Sequence, residues 1–351
     1  MKMMVKQAWN GRLSEPKVSA SKGKLTDQGG EIEVAEIIQG ENYQGVNTWI
    51  KDTAGEYYWG GVVDMYGYYY DKVDEVKKRF GVPAMWTKLN TYGIGSKVLV
   101  IDTGTCLNHQ DLKINAANSN NLLNPGQDAD DWDGHGTMSA GIIAGTGFNQ
   151  VVGVAPQAEL HITKIVNYAR TGFNNNLIAS AIKNGTQNIQ DLQVISISGG
   201  VATPDTRIEN AIKLAAEKNI VVVCAIGNLP SAPNYPALYA PQQENIISVG
   251  SVNMDSQLSS FSIQDNCVVI HGPGENIYST YTDNGYHTDS GTSFSTPFIT
   301  GVVALIRSKF PQMNAKSIRD KMVHSSRQLT SQTGNYTYKV ININQLINEI
   351  P

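Results

Sequence analysis

Short apolar runs recur along the chain from about residue 84 onward. They span residues 97–101, 160–165, 194–197, 220–225 and 246–249. Each run is short and apolar at nearly consecutive positions, which is typical of a strand buried on both faces. The runs therefore predict the strands of a parallel sheet.

Helical patterns lie between these runs. Residues 177–184 and 208–218 have apolar side chains at three- and four-residue steps, and residues 138–144 form a further helical run. Strands that alternate with helices predict an α/β fold, with three α/β/α layers around a mainly parallel central sheet. In such a sheet the functional residues gather at the carboxyl ends of the strands.

The first 70 residues show a different pattern. Residues 31–38 alternate between apolar and polar positions, residues 48–51 form another short segment, and glycine-containing turns separate such segments. This pattern predicts a small β-barrel in residues 1–70. Residues 71–80 then have helical spacing with alternating charges, which predicts a helical connector over residues 71–83 before a domain at residues 84–351.

Composition and charge narrow the range of partners. The 351 residues are 41% hydrophobic and 17% charged, as in soluble globular proteins, and the net charge of −4 offers no basic surface for nucleic acid. No stretch approaches the roughly 18 apolar residues of a membrane span, and the N-terminus lacks the apolar core of a signal peptide. The three cysteines lie far apart, without metal-site spacing. We expect a monomer with no nucleic-acid partner, no membrane span, no metal and no other cofactor.

Residues 291–297, Gly-Thr-Ser-Phe-Ser-Thr-Pro, lead into a long apolar run. Gly291 permits a sharp turn, and Ser293 then falls in the first turn of the predicted helix. Unpaired N–H groups and the positive end of the helix dipole favour a developing negative charge there. Serine is also a favoured N-cap, so Ser293 alone is either a reactive hydroxyl or a cap.

Three further polar residues stand at the ends of predicted elements. Asp102 ends the first strand, Asn228 follows the fourth, and His135 stands between glycines ahead of residues 138–144. Each has an ordinary explanation, as a turn cap, a loop support or a buried histidine. Together with Ser293, however, they would bring a carboxylate, an imidazole, a hydroxyl and an amide to one edge of the sheet. That combination indicates nucleophilic catalysis.

These segments resemble the subtilisin-like serine proteases. The matching motifs, in the family's order, are residues 98–104 (Val-Leu-Val-Ile-Asp-Thr-Gly), 134–137 (Gly-His-Gly-Thr), 153–156 (Gly-Val-Ala-Pro), 227–228 (Gly-Asn) and 291–297. The resemblance covers roughly residues 84–351. It implies a serine endopeptidase with a polypeptide substrate, in which Asp102, His135 and Ser293 form the catalytic triad. Asn228 and the backbone N–H of Ser293 would form the oxyanion hole.

The same resemblance implies the residues that bind substrate. The primary pocket would have the walls Ser198, Gly199, Gly200, Ala225 and Gly227 and the base Asn234, and Thr171, Gly172 and Phe173 would form an edge for an extended peptide. Because Asn234 is uncharged, no preference for lysine or arginine is predicted in this pocket. The glycines have an alternative explanation, which is close packing of the backbone.

The loop between Gly145 and Gly153 is shorter than the calcium-binding loop of well-known family members. Asp111, a candidate calcium ligand, therefore lacks oxygen-rich companions, and calcium takes about six or more oxygen ligands. We predict no calcium at this loop.

Residues 45–62 resemble bacterial Src-homology-3-like domains through Trp49-Ile-Lys51, a turn at Gly55 and residues 58–61, Tyr-Trp-Gly-Gly. The resemblance implies a peptide or cell-wall ligand. Alternatively, the aromatic residues fill a core, or the segment is an inhibitory pro-segment. We expect a bacterial endopeptidase that is secreted or periplasmic. The rival hypothesis is a non-catalytic or latent protein whose barrel binds a ligand or blocks the cleft.

Overall fold

The N-terminal part of the chain is a curled antiparallel sheet. The computed structural model describes residues 2–5, 9–18, 20–28, 30–43, 46–59, 65–169 and 172–351, and the chain divides into two compact units, Met1–Val73 and Asp74–Pro351. The first unit contains β1 (Lys2–Met4), β2 (Trp9–Arg12), β3 (Lys22–Thr26), β4 (Glu31–Tyr43), β5 (Val46–Asp52), β6 (Tyr57–Trp59) and α1 (Tyr66–Lys72). Its strand order is β1-β4-β5-β6-β2-β3. Within the described residues β1 and β3 stand at opposite ends of this order, so the predicted barrel is a half-barrel.

Aromatic side chains of β5 and β6 are buried in this unit. Trp49 lies directly opposite Trp59 in the antiparallel register, and both are buried together with Tyr58. The ring of Trp9 lies 5.9 Å from that of Trp59. Interior packing therefore accounts for these three buried residues, whereas Tyr57 is half-buried. The glycines at 45, 60 and 61, on which the Src-homology-3-like resemblance partly rests, lie outside the described residues, and the resemblance stays a prediction.

The second unit is built on a mainly parallel sheet. Its strands are β7 (Lys97–Asp102), β8 (Asn120–Asn121), β9 (Glu159–Lys164), β10 (Val194–Ile197), β11 (Val221–Ala225), β12 (Ile246–Val252), β13 (Ile270–Pro273), β14 (Ile277–Thr280), β15 (Tyr286–Asp289), β16 (Arg327–Thr330) and β17 (Thr337–Val340). The sheet order is β16-β17-β13-β12-β11-β10-β7-β9-β8, and β14 pairs with β15 as a separate hairpin. Only β16 runs antiparallel to its neighbour in the described sheet. The five apolar runs of the sequence are β7 and β9 to β12.

Helices cover both faces of this sheet. They are α2 (Glu75–Arg79), α3 (Val82–Leu89), α4 (His135–Ala144), α5 (Asn175–Asn188), α6 (Thr206–Glu217), α7 (Thr292–Lys309), α8 (Ala315–His324) and α9 (Ile343–Glu349). On one face, Gly185 of α5 packs against Leu99 of β7. On the other, Thr300 of α7 donates a hydrogen bond to Ser196. Ser196 is the register partner of the residue after Leu99, so the two contacts lie on opposite faces. The predicted three-layer fold is confirmed.

The strand order reverses at β7. After β7 the chain adds β9 on one side, and it then crosses to place β10 on the other side. In open α/β sheets, ligands bind in the crevice at the carboxyl ends of the two strands that border such a reversal. Asp102 ends β7 and Ser198 directly follows β10. The topology and the sequence motifs therefore indicate the same edge of the sheet, at the carboxyl ends of β7 and β10.

The predicted helical segment at residues 71–80 is two helices. Helix α1 ends at Lys72, and α2 begins at Glu75. Asp74 caps α2, since its carboxylate accepts the backbone N–H of Lys77 at 2.9 Å. A capping aspartate satisfies free N–H groups of a helix start, which explains why a new helix begins at Glu75.

Candidate active site

Asp102 is a buried carboxylate at the end of β7. Its side chain is 0% exposed, and it accepts hydrogen bonds from three donors. The donors are the backbone N–H of Thr103 at 2.8 Å, the Ser139 hydroxyl at 3.2 Å and Nδ1 of His135 at 2.7 Å. A buried charge is tolerated when its oxygens are hydrogen-bonded in this way. Asp102 is therefore held in place with one oxygen on the imidazole.

His135 opens helix α4, directly after a left-handed residue. Gly134 has φ 98°, which a residue with a Cβ rarely adopts. The next turn is fixed by Asp131, which accepts both the backbone N–H and the hydroxyl of Thr137, at 2.9 and 2.7 Å. The ring of His135 also contacts Phe294, with 5.4 Å between ring centres. The local backbone therefore sets the position of the ring.

The electrostatics around His135 favour its cationic form. Burial by itself lowers the pKa of His135, but the charge and hydrogen bond of Asp102, with the charges of Asp133 and Asp131, leave the pKa raised above its usual 6.5. The protonated ring is thus stabilised by carboxylates. An imidazole with a raised pKa can accept a proton and retain it.

Ser293 lies in the first turn of α7. The helix is buried from Thr292 to Arg307 except at Ser293, which is half-exposed. The backbone N–H of Ser293 has no carbonyl one turn earlier in the helix, so it is available to a ligand. The hydroxyl of Ser293 donates to the backbone carbonyl of Ser198 at 2.8 Å. Rotation of the side chain is needed to direct this proton elsewhere.

Asn228 has a fixed amide orientation. Its Oδ1 accepts the backbone N–H and the hydroxyl of Thr292, both at 3.0 Å. Because both donors are next to Ser293 in the chain, they place the amide oxygen beneath the start of α7. The Nδ2 group is then the part of the side chain that remains for the cleft, whose lining includes Asn228.

Most of the residues predicted for the site line one cleft of about 1150 Å³. The predicted residues along it are His135, Gly172, Phe173, Ser198, Gly199, Gly200, Ala225, Gly227, Asn228, Asn234 and Ser293. Asp102 is not part of this lining and contacts the site through His135. Thr171 lies outside the described residues. The structure therefore brings the described candidates to one place.

The glycines of the cleft wall are closely packed. A Cβ at Gly199 would lie 2.2 Å from the ring of Phe173, and one at Gly200 would lie 2.3 Å from the carbonyl oxygen of Tyr235. A Cβ at Gly227 would lie 2.8 Å from Nδ2 of Asn234. These glycines are therefore closely packed, as the alternative explanation expects, and they also line the cleft.

Asp111 is saturated by protein donors. Its carboxylate accepts the N–H groups of Asn149, Gln150 and Val151 at 2.6, 2.8 and 2.9 Å and the hydroxyl of Tyr286 at 2.8 Å. The carboxylate thus holds the short loop directly. Within the described residues there is no group of three or more His, Cys, Asp or Glu side chains that could hold a metal ion.

Several residues around the triad candidates were not found from the sequence. Ser139 contacts Asp102, Asp131 fixes the start of α4, and Tyr281 donates to the carbonyl of Asp133 at 2.7 Å. Asp131 had a local signal, because an aspartate shortly before a helix is a common cap. Ser139 and Tyr281 act through contacts between distant parts of the chain, for which the sequence carries no local pattern.

The fold and the cleft together define a class of protein, the subtilisin-like proteins with a three-layer α/β fold. The sequence profile of the subtilase family matches residues 93–339. Over 243 residues the chain is 35% identical to Subtilisin DY of Bacillus licheniformis, covering 68% of this chain and 85% of that protein. It is 38% identical to the Intracellular serine protease of Paenibacillus polymyxa over 239 residues, covering 64% and 70%.

Two further comparisons agree. Thermitase of Thermoactinomyces vulgaris is 33% identical over 252 residues, covering 70% of this chain and 86% of that protein. The crystal structure of MycP1 with the N-terminal propeptide removed superposes with a TM-score of 0.66 at 23% identity, covering 78% of this chain and 96% of that one, which shows the fold. The chain belongs to the subtilase family, and it is a subtilisin-like serine peptidase.

Membership in the family does not assign a compartment. One of the relatives is named an intracellular serine protease, so secretion stays a prediction. Among the described helices none is both long and apolar enough to cross a membrane.

Proposed function

We propose that the chain is a serine endopeptidase in which Ser293 attacks the peptide bond with His135 as its base and Asp102 as the partner of His135. The hydrogen bond between Asp102 and His135, at 2.7 Å and beside a cleft that also contains Ser293, is the observation that carries this proposal. A hydroxyl is a weak nucleophile until a neighbouring base takes its proton. The three side chains supply that combination.

The first half of the reaction forms an acyl-enzyme. The Ser293 hydroxyl turns from the Ser198 carbonyl to Nε2 of His135 and attacks the substrate carbonyl carbon while its proton passes to the imidazole. Asp102 holds Nδ1 and stabilises the imidazolium. The imidazolium then gives the proton to the leaving amine as the peptide bond breaks.

The second half repeats these roles with water. His135 takes a proton from water, which attacks the ester carbonyl, and the proton returns to Ser293 Oγ when the acid product leaves. In both halves the oxyanion would accept hydrogen bonds from Nδ2 of Asn228 and the N–H of Ser293. The fixed orientation of the Asn228 amide supports this role, because a preorganised donor needs no rearrangement as charge develops.

The substrate is proposed to bind as an extended strand. Residues 171–173 would form the edge to which it adds, and Ser198, Gly199, Gly200, Ala225, Gly227 and Asn234 would surround the primary side chain. The half-barrel in residues 1–70 is proposed to bind peptide or cell-wall material. Secretion or export to the periplasm, a monomeric state and the division at residues 1–70, 71–83 and 84–351 complete the proposal.

The test is hydrolysis of a mixed fluorogenic peptide library by the full chain and by Ser293→Ala, each with and without EDTA. We expect the full chain to cut and the variant not to cut, because the variant lacks the attacking oxygen. Ser295→Ala, two residues further along α7, is a matched control that keeps Ser293. If Ser293→Ala retains full activity, the proposed nucleophile is wrong.

A fluorophosphonate probe separates catalysis from a non-catalytic scaffold. The probe reacts with an activated serine and needs no peptide subsite, so the full chain should be labelled and Ser293→Ala should not. The named relatives are proteases, and the described triad candidates share one cleft, so the scaffold hypothesis is not favoured. Absence of labelling in a correctly folded full chain would restore it.

A further inference from the structure

Tyr281 lies over the residues that precede His135. A Cβ built on Gly134 would lie only 2.0 Å from Cε2 of Tyr281, so the phenol ring covers this glycine directly. The Tyr281 hydroxyl donates to the backbone carbonyl of Asp133 at 2.7 Å. One side chain therefore contacts both residues that lead into His135.

The preceding residues of β14 extend this contact along α4. The hydroxyls of Ser279 and Thr280 donate to the carbonyls of Met138 and Thr137 at 2.8 and 2.7 Å. Both hydroxyl-bearing residues are 0% exposed. Three consecutive side chains, at 279, 280 and 281, thus hold the backbone on both sides of His135.

The same hairpin continues into the nucleophile. Strand β15 ends at Asp289, and Ser290 and Gly291 lead directly to α7 with Ser293 in its first turn. The hairpin is therefore bonded to the His135 helix through β14 and continuous with the Ser293 helix through β15. The hairpin thus links the helix that begins with His135 to the helix that carries Ser293.

We propose that Tyr281 is a positioning residue for His135, which it holds through the carbonyl of Asp133 and the surface of Gly134. The inference rests on the proposed function, since it assigns a role relative to the base. Tyr281 also lines the cleft. It acts on the reaction through the backbone of His135 and not through contact with the reacting atoms.

The protonation state of Tyr281 supports this role. Burial, with the charges of Asp133, Asp131 and Asp289, raises the pKa of Tyr281 above its usual 10.0. The phenol thus remains a hydrogen-bond donor at and well above neutral pH. The backbone carbonyl of Asp133 can only accept, so the direction of the bond is fixed.

The test compares Tyr281→Phe with Tyr336→Phe in the full chain. Both substitutions keep the ring and remove a hydroxyl that donates to a backbone carbonyl, since Tyr336 donates to Asp265 at 3.0 Å and is not among the residues of the cleft. We expect Tyr281→Phe to lower kcat by about 10- to 100-fold with KM within about twofold, because small misplacements of catalytic groups cost this much. Tyr336→Phe should change neither.

The pH dependence of kcat/KM distinguishes a positioning role from general destabilisation, because a loss of stability alone would not shift its acid limb. If the Asp102–His135 contact loosens in Tyr281→Phe, the pKa of His135 falls towards its usual value, and the acid limb of kcat/KM moves to lower pH. Proton NMR of the His135 ring reports the same shift without requiring turnover. Melting temperatures of both tyrosine variants show whether each is folded under the assay conditions.

Each kinetic outcome either supports or overturns the positioning role of Tyr281. A lower kcat with an unchanged KM and a displaced acid limb supports the positioning role. A raised KM with unchanged kcat overturns it and makes Tyr281 a substrate contact, and unchanged kinetics with an unchanged His135 titration also overturn it. Wild type and Ser293→Ala are measured alongside, so an active wild type with an inactive Ser293→Ala keeps the proposed function even where the Tyr281 inference fails.

Discussion

At the scale of single residues, the proposed mechanism makes the pair Asp102 and His135 the source of the pH dependence. His135 must be neutral to accept the Ser293 proton, and its pKa is raised above 6.5 because the Asp102, Asp133 and Asp131 charges outweigh burial. Activity should therefore be complete above the raised pKa and should be lost as the pH falls through it. The acid limb of kcat/KM should lie above pH 6.5.

Asp102→Asn should move this limb and reduce the rate. Removing the carboxylate charge lowers the pKa of His135, so the limb shifts to lower pH, and kcat falls by about 10⁴-fold because the imidazole loses its correct tautomer and its counter-charge. The measurement is kcat/KM from pH 5 to 9 for both proteins. Asp255→Asn is the control, because Asp255 is an exposed carboxylate that pairs with Arg79 and is not among the residues of the cleft. An unmoved limb would show that Asp102 does not set the titration.

Asn228→Ala should affect the transition state more than the bound substrate. We expect kcat to fall by about 100- to 1,000-fold with little change in KM, because the oxyanion needs the Nδ2 donor only when it forms. Asn228→Asp removes the same donor and places a negative charge near the oxyanion, so it should be at least as slow. Full activity in either variant would remove Asn228 from the mechanism.

The residue scale also shows what the sequence could and could not predict. Asp102, His135, Asn228 and Ser293 stand in short motifs next to strand ends or helix starts, so their neighbours in the chain identify them. Tyr281 has no such motif, because its partner carbonyl at Asp133 lies 148 residues away in the sequence. Its role depends on how β14 packs on α4, which no local pattern records.

At the scale of elements, the short loop at residues 149–151 depends on Asp111. Asn at this position keeps one acceptor oxygen and turns an NH₂ group towards protein donors. The unfolding free energy of Asp111→Asn should therefore fall by about 3 kcal/mol, since buried hydrogen bonds to a charge contribute about 1.5–3 kcal/mol each and at least one donor loses its partner. Urea unfolding measures the change.

Two controls accompany Asp111→Asn. The exposed Asp255→Asn removes a surface charge that pairs with Arg79 at 2.9 Å and should have little effect. EDTA should leave the unfolding midpoint of the wild type unchanged, because the Asp111 oxygens already accept four protein hydrogen bonds. A midpoint that falls with EDTA would show that a metal ion contributes to stability.

Element types were easier to predict than element boundaries. Short apolar runs bounded by turns favour buried strands, and all five appear in the sheet. The helical spacing of residues 71–80 predicts a helical connector but does not indicate where one helix ends and the next begins. The Asp74 cap divides it, and capping depends on backbone angles that the apolar pattern does not report. The curled sheet of the first unit also differs from a closed barrel, because β1 and β3 stand at opposite ends of the described strand order. The alternation of apolar and polar residues does not report which strands pair.

At the scale of the whole molecule, the second unit contains every described residue of the cleft. Asp74–Pro351 includes the complete parallel sheet and the helices on both its faces. We therefore expect a chain of residues 74–351 to fold and to hydrolyse the peptide library with kcat/KM within about threefold of the full chain, since a domain with its own core folds independently.

The comparison of the two chains also decides between hypotheses for residues 1–73. A rise in kcat/KM well beyond this range would support the latent form, in which the N-terminal segment blocks the cleft. Equal activity combined with loss of binding to peptide or isolated cell wall would support a binding role. Unfolded 74–351 would show that the second unit requires the first for stability.

The hydrogen bond from Ser293 to the Ser198 carbonyl has a consequence for the enzyme at rest. A hydroxyl carries one proton, so in this rotamer the proposed nucleophile does not donate to its proposed base, His135. Reorientation of this one side chain would therefore precede attack, whether the electrophile is a peptide carbonyl or a fluorophosphonate. The first event of the proposed reaction is thus a change in a single torsion angle, before any bond to the substrate forms.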